Sequence, residues 1–200
     1  MSLHERKERE RAQRHRLIVS TARELAEAQG WEAVTTRRLA ERIEYSQPVL
    51  YSHFRNREEI VGAVAMEGFT ELSAALRAAE PDDRSARAAV LAVARAYTDF
   101  ATANPALYDA MFRLDNGLPF ADEATPAPLH ESFQALLAPL ARNSGPHDAG
   151  LLTETFWAAL HGLATLTRSG RIPEHQLPER LDILADRYTP HTTAKPPTAP

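Results

Sequence analysis

The stretch TTRRLAERIEYSQPVLYSHFRNREEI, residues 35–60, decides the fold. Thr36 is a good N-cap for a short helix over Arg37 to Ile43, in which Leu39, Ala40 and Ile43 share one face. Tyr45-Ser46 turns the chain, Ser46 is placed to cap the next helix, and Pro48 takes an early helical position where a missing N–H costs nothing. Gln47 to Phe54 then reads as a helix of about two turns, with Leu50 and Phe54 on the inner side and Tyr51 and His53 facing solvent. Two short helices joined by a tight polar corner form a helix-turn-helix, the layout that puts one helix into the major groove of duplex DNA. A helix this short is not stable alone, so a scaffold must present it.

That scaffold is legible on both sides. Upstream, Leu17, Ile18, Thr21, Ala22, Leu25 and Ala26 recur with helical spacing over Gln13 to Gln29, and Gly30 supplies a stop. Trp31 and Val34 are expected beneath the following helices. Residues 1–12 interleave Arg6, Lys7, Arg9 and Arg11 with Glu5, Glu8 and Glu10 and read as a mobile arm. Such an arm either touches phosphate or the minor groove, or is a solvated, frayed helix start with pairs such as Glu5 with Arg9. Downstream, Arg57 to about Ala79 is a connecting helix with Ile60, Val61, Val64, Phe69, Leu72 and Leu76 on its apolar side, broken by Pro81 to Ser85. Further helices are expected at about 85–103, 106–115, 129–143, 148–169 and 174–188, with a Gly- and Pro-rich loop over 116–128. Nothing alternates like a strand. The expected fold is all-α, with about nine helices: a three-helix head over 1–60, a helical body over 61–189 and a disordered tail over 190–200.

Bulk properties narrow the class. A chain of 200 residues, 44% hydrophobic, buries a core without help, and with no cysteine it has neither a disulfide scaffold nor a thiolate metal site. The N-terminus MSLHERKERERAQRHR lacks an apolar leader and no apolar run approaches a membrane span, so a soluble, cytoplasmic protein is expected. The net charge of −4 is unevenly placed: residues 1–60 hold 12 Lys/Arg against 10 Asp/Glu, net +2, and the remainder holds 11 against 17, net −6. Any DNA contact therefore belongs to the N-terminal third. The eight histidines are scattered, with no HExxH-like pair and no Gly-rich phosphate loop, so neither an enzyme, a metal site nor a cofactor is expected.

The segment Gly30 to Ile60 resembles the TetR family of bacterial one-component transcriptional regulators. The likeness lies in Thr36, Leu39-Ala40, Ser46, Leu50-Tyr51, His53-Phe54 and Arg57, and QPVLYSHFRN, residues 47–56, looks especially like the recognition helix of the tetracycline repressor. WAALHGLATLTRSG, residues 157–170, looks like the Trp-His-Gly signature of one ligand-binding subclass of that family. Two positions depart: Glu44 stands where the family commonly has Gly, and Tyr45 where a small aliphatic is usual. The resemblance implies a homodimer that binds a palindromic operator and releases it when a small molecule enters the C-terminal domain. A DNA-binding factor for chromosome organisation or division control would share the same head, and a helical interaction protein with a vestigial helix-turn-helix is a further alternative.

Each residue of interest has a functional and a plainer reading. Gln47 offers a bidentate amide to an adenine edge, and Pro48 and Val49 offer apolar contact to a thymine methyl; Gln47 is otherwise an exposed first-turn residue and Pro48 a helix starter. Tyr51 and His53 suit phosphate or base-edge contact, or packing. Thr36, beside a helix N-terminus, suits phosphate, and Arg37, Ser46, Arg55 and Arg57 add backbone contacts, any one Arg being otherwise no more than a surface charge. In the body, Tyr97, Phe100, Tyr108, Met111, Phe112, Phe133, Phe156, Trp157 and His161 are candidates to line an effector cavity, or form a plain core. Gly162 in mid-helix suggests the close approach of another helix or of a ligand. Leu160, Leu163, Leu166, Leu177, Leu181 and Leu184 form a candidate dimer seam, or intramolecular core.

Overall fold

Ser2 starts the first helix. Its hydroxyl accepts from the Glu5 N–H at 3.2 Å while the Glu5 carboxylate accepts from the Ser2 N–H at 2.9 Å, a reciprocal capping box. In the computed structural model, which describes residues 2–79, 85–142 and 144–189, α1 accordingly runs Leu3–Gln29. Of the two readings of residues 1–12, the mobile arm is therefore corrected and the helix start holds from Leu3 onward. That stretch has no apolar period to announce it and is held by its cap and by ion pairs one turn apart, among them Arg6–Glu10 at 3.0 Å and His4–Glu8 at 3.1 Å. The C-terminus of α1 ends as expected: Gly30 takes φ 79° and its N–H donates to the Ala26 carbonyl at 2.7 Å.

After a turn of 3₁₀ helix at Trp31–Ala33 come α2 (Thr36–Arg42), α3 (Gln47–Tyr51), α4 (Arg57–Ala79), α5 (Ala86–Ala103), α6 (Pro105–Phe112), α7 (Ala127–Ala141), α8 (Ala149–Arg168) and α9 (Leu177–Tyr188). The described residues contain no strand, as the sequence pattern predicts. The expected break at Pro81 and the tail over 190–200 lie outside the described residues, apart from Ser85. No described helix is long and apolar enough to cross a membrane.

The chain divides into two compact units, Met1–Glu71 with Ala103–Glu131, and Leu72–Thr102 with Ser132–Pro200. The core of the first is built on α1, through Ile18, Val19, Ala22, Leu25 and Ala26, with Trp31, Val34, Leu39, Leu50, Phe54, Ile60 and Val64. Leu17, expected on the inner face of α1, is instead exposed, and Val19 takes the inner position. Within the same unit α6 is tied to the end of α1. Asn104 gives α6 no side-chain cap; the Glu27 carboxylate accepts from the N–H groups of Ala106 and Leu107 at 3.1 and 2.9 Å instead. The Trp31 indole donates to the Ala106 carbonyl at 2.7 Å, and Arg23 bridges Glu71 and Asn104. α4 lies on α6 so closely that a Cβ on Gly68 would stand 2.6 Å from the Met111 sulfur, and Tyr108 and Met111 are fully buried.

In the second unit α8 packs on α9, with Phe156 against Tyr188 at 5.1 Å between ring centres. Asp182 and Asp186 of α9 hold Arg87 of α5, which keeps that guanidinium well above its ordinary value. The Trp157 indole donates to the Tyr97 hydroxyl at 3.0 Å, and Tyr97 is wholly buried.

Candidate nucleic-acid interface

α2 begins one residue earlier than the sequence suggests. Thr35, rather than Thr36, is the N-cap, its hydroxyl accepting from the Arg38 N–H at 3.3 Å; both residues have the side chain for the role, and the extended backbone at Thr35 decides it. Thr36 thereby sits in the first turn, where its hydroxyl lies 3.4 Å from that of Tyr51. The start of α2 and the end of α3 are joined by this polar pair. The turn between them is a Schellman motif: Tyr45 N–H donates to the Ala40 carbonyl at 3.0 Å and Glu44 takes φ 58°. A left-handed residue is what glycine supplies most easily, so Glu44 keeps the geometry of the turn with a side chain that strains it.

α3 proper is only five residues, Gln47–Tyr51, and His53 and Phe54 follow in a turn. Ser46 stands at its N-cap but makes no side-chain cap bond, leaving its hydroxyl to the outside. Leu50 and Phe54 anchor the segment in the core, at 1% and 5% exposure, while Gln47 and Pro48 are exposed, Val49 is half-buried and Tyr51 is 52% exposed. The face available to a groove is thus Gln47, Pro48 and Tyr51, bordered by Thr36 and Ser46.

His53 differs from its expected solvent-facing position. It is half-buried beside His15 of α1, with ring centres 6.4 Å apart, and His15 lies 4.6 Å from the Phe54 ring. Burial, together with the positive charge of His15, Arg11 and Arg14, holds the His53 imidazole below its ordinary value. Burial and the adjacent Arg11 and Arg16 do the same to His15. A cleft of about 480 Å³ opens beside this pair, toward Met66, Asn116 and Leu118.

The arginines are not equivalent. Arg37 pairs with Glu41 at 2.9 Å, and Arg55 is bound through its guanidinium and its N–H to Glu59, which lowers the Glu59 pKa. Arg57 donates to the Trp31 carbonyl at 2.9 Å with its guanidinium 5.9 Å from the indole centre, so it helps join the start of α4 to the end of α1. His15 and Glu27 carry structural roles here that the sequence does not announce, whereas Trp31 is buried as expected and adds a bond to the Ala106 carbonyl. Nothing local signals the Glu27 role, because Asn104 before Pro105 has the side chain of an N-cap itself.

Of the nine cavity candidates, Tyr108, Met111 and Phe112 belong to the first unit and Tyr97, Phe100, Phe133, Phe156, Trp157 and His161 to the second, so the sequence-based grouping does not form one ring within a unit. Gly162 has nothing within 4 Å of an added Cβ, so no described helix of this chain makes the close approach that its position suggests. Leu160 and Leu181 are buried at 0% and 3%; Leu166 is exposed, and so are Leu151 at 64% and Ile183 at 60%. The described residues contain no group of three or more histidines or acids placed to hold a metal.

A short, exposed helix held by two buried anchors beside a capped partner helix defines a helix-turn-helix DNA-binding protein. Residues 18–64 match the profile of "Bacterial regulatory proteins, tetR family", and residues 90–189 that of "Tetracyclin repressor-like, C-terminal domain". The chain belongs to the TetR family of bacterial regulatory proteins. It is 33% identical over 95 residues, 48% of its length, to the uncharacterized HTH-type transcriptional regulator YobS of Bacillus subtilis (strain 168). It is 48% identical over 48 residues, 24% of its length, to the tetracycline repressor protein class C of Escherichia coli. The chain thus spans 49% of the first relative's length and 22% of the second's. A solved protein of unknown function from Rhodococcus sp. RHA1 superimposes with a TM-score of 0.71 at 28% identity, over 87% of this chain and 92% of that one.

Proposed function

We propose that the protein is a cytoplasmic repressor that binds a palindromic operator as a homodimer and releases it on taking up a small lipophilic or aromatic effector. The observation that carries this reading is the exposed face of Gln47, Pro48 and Tyr51 on a helix fixed from beneath by Leu50 and Phe54. Gln47 reads an adenine edge, Pro48 and Val49 meet a thymine methyl, and Thr36, Ser46 and Tyr51 take phosphate or base-edge contacts. Arg37 and Arg55 exchange their carboxylate partners for phosphate. His53 and Arg57 act from behind, His53 by packing on His15 and Arg57 by holding Trp31. The similarity to a tetracycline repressor supports the repressor role.

Functionally, residues 1–60 serve as the reading head and 61–189 as the effector and dimer portion. Leu163, Leu166, Leu177 and Leu184, joined by Ile183, supply the dimer seam, and the open flank at Gly162 suits the approach of a second copy. Phe100, Phe133, Phe156, Trp157 and His161 are the effector contacts, with Tyr97 oriented by the Trp157 indole. A dimer sets the two recognition helices about 34–36 Å apart, one turn of DNA. An effector that favours another separation switches occupancy with a differential affinity of a few kcal/mol.

Selection of duplexes from a random pool by the purified protein tests the reading. A short palindrome enriched by a dimeric species supports it; enrichment of a single asymmetric site, or of none at low salt, overturns it.

A further inference from the structure

Because residues 3–16 are helical, their charges have fixed positions. They comprise Arg6, Lys7, Arg9, Arg11, Arg14 and Arg16 against Glu5, Glu8 and Glu10, six basic groups to three acidic, in a chain that is net −4 overall. The acids are engaged along the helix itself: Glu5 in the cap, Glu8 with His4, and Glu10 between Arg6 at 3.0 Å and Arg14 at 3.7 Å. Among the described residues, Lys7 and Arg11 have no ion-pair partner, and both are exposed. They stand one turn apart, and one turn further along the same stripe is His15, whose ring packs on Phe54 and against His53 just after the recognition helix. The charges of Arg11 and Arg14 are felt at His53 itself. The basic stripe therefore begins at the end of the reading helix and leads away from it.

The geometry points to a second DNA contact: Lys7 and Arg11, carried on the N-terminal extension of α1, engage phosphates flanking the base pairs that α3 reads. This rests on the operator reading and extends it. From His15 back to Lys7 the helix covers about 12 Å, three to four base pairs at ~3.4 Å per step. A lysine and an arginine on an exposed helix meet phosphate as charge, so the contact adds affinity and salt dependence without adding sequence preference.

The test uses the full-length protein and two duplexes recovered from the random pool, one trimmed to the selected site and one extended by about a helical turn on each side. The Lys7→Gln/Arg11→Gln variant removes charge and keeps helix-forming side chains; its circular dichroism and melting should match the wild type. Wild type should bind the extended duplex about tenfold more tightly than the trimmed one. The variant should bind both alike, with a log–log salt slope on the extended duplex shallower by about 0.9 for each contact removed. The charge-preserving Lys7→Arg/Arg11→Lys variant should behave as wild type. A Gln variant that equals wild type on the extended duplex, or loses as much on the trimmed one, overturns the contact, as does a charge-preserving variant that fails. Binding to neither duplex would instead refute the operator reading, and this contact with it.

Discussion

Glu44→Gly should make the helix-turn-helix more stable. Glu44 is exposed and takes φ 58° in the corner between α2 and α3. An L-residue there sets its Cβ against the following carbonyl at a cost of about 1–2 kcal/mol. Glycine removes that strain but returns about 0.5–1 kcal/mol of chain entropy to the unfolded state. The expected net gain is about 0.5–1 kcal/mol, or about two- to fivefold in a local opening equilibrium. Amide hydrogen exchange over residues 36–54, read by mass spectrometry, should slow by that factor. Glu44→Ala is the control, since it removes the carboxylate and keeps the Cβ. Both substitutions remove a negative charge from the exposed corner beside α3, so any shared gain in duplex affinity is electrostatic, whereas slower exchange should belong to Gly alone. Faster exchange in the Gly variant, or equal slowing in the Ala variant, would refute the assignment of strain to this residue.

Other outcomes follow from the same geometry. Gln47→Ala should weaken the selected duplex by about 1–3 kcal/mol while leaving random DNA nearly untouched, as measured by competition binding; equal losses on both would remove Gln47 from base reading. His15 and His53 both titrate below their ordinary value in the folded head, so the unfolded chain takes up protons first as the pH drops. The stability they preserve is present above about pH 6.5, the ordinary histidine value, and is lost as pH falls through the lower folded values. Urea midpoints should therefore decline on acidification, less so in His15→Gln, and a pH-independent difference between the two proteins would count against this. Gly68→Ala should destabilise the first unit by about 1–3 kcal/mol through overpacking against Met111 and Leu107, with Gly68→Ser worse; an unchanged melting curve would show that α4 and α6 are not so closely apposed. Gly162→Ala meets no neighbour within the protomer and should add about 1 kcal/mol of helix stability; loss of dimer in sedimentation alongside that gain would place a second copy at this flank, and a dimer unaffected by it would not.

How far the sequence carried the reading depends on the range of the interactions. The faces of α3 follow from spacing alone, because Leu50 and Phe54 can reach a core only on the side away from Tyr51. The helical body was readable from its breaks, since the Gly- and Pro-rich loop over 116–128 divides segments in which nothing alternates like a strand. The start of α1 was not: residues 3–12 carry no apolar period, and what holds them helical is a side-chain cap and ion pairs that compete with solvent. Thr35 and Thr36 are equally suited to cap a helix, and only the backbone separates them. His53 was placed on the open side by its position relative to Leu50, but it lies beyond the last residue of α3, where helical spacing no longer applies. Arg57 with Trp31, and Glu27 with the start of α6, join residues 26 and 79–80 positions apart, and nothing local marks them. The cavity candidates were chosen by residue type, which carries no information about which unit a side chain joins.

The bond network between α1 and α6 bears on how such regulators are recombined. A cut at residue 60 gives a tidy head by sequence, yet it separates the Glu27 carboxylate and the Trp31 indole from every partner they have on α6. Trp31 is buried, and a buried donor stripped of its partner costs about 1–3 kcal/mol, a large fraction of the stability of a head this small, while the exposed Glu27 carboxylate turns to water. A hybrid sensor that transplants this reading head onto a foreign effector domain would inherit that deficit unless residues 103–131 travel with it. The transferable cassette is discontinuous in sequence, and grafts designed on linear boundaries should fold poorly for that reason.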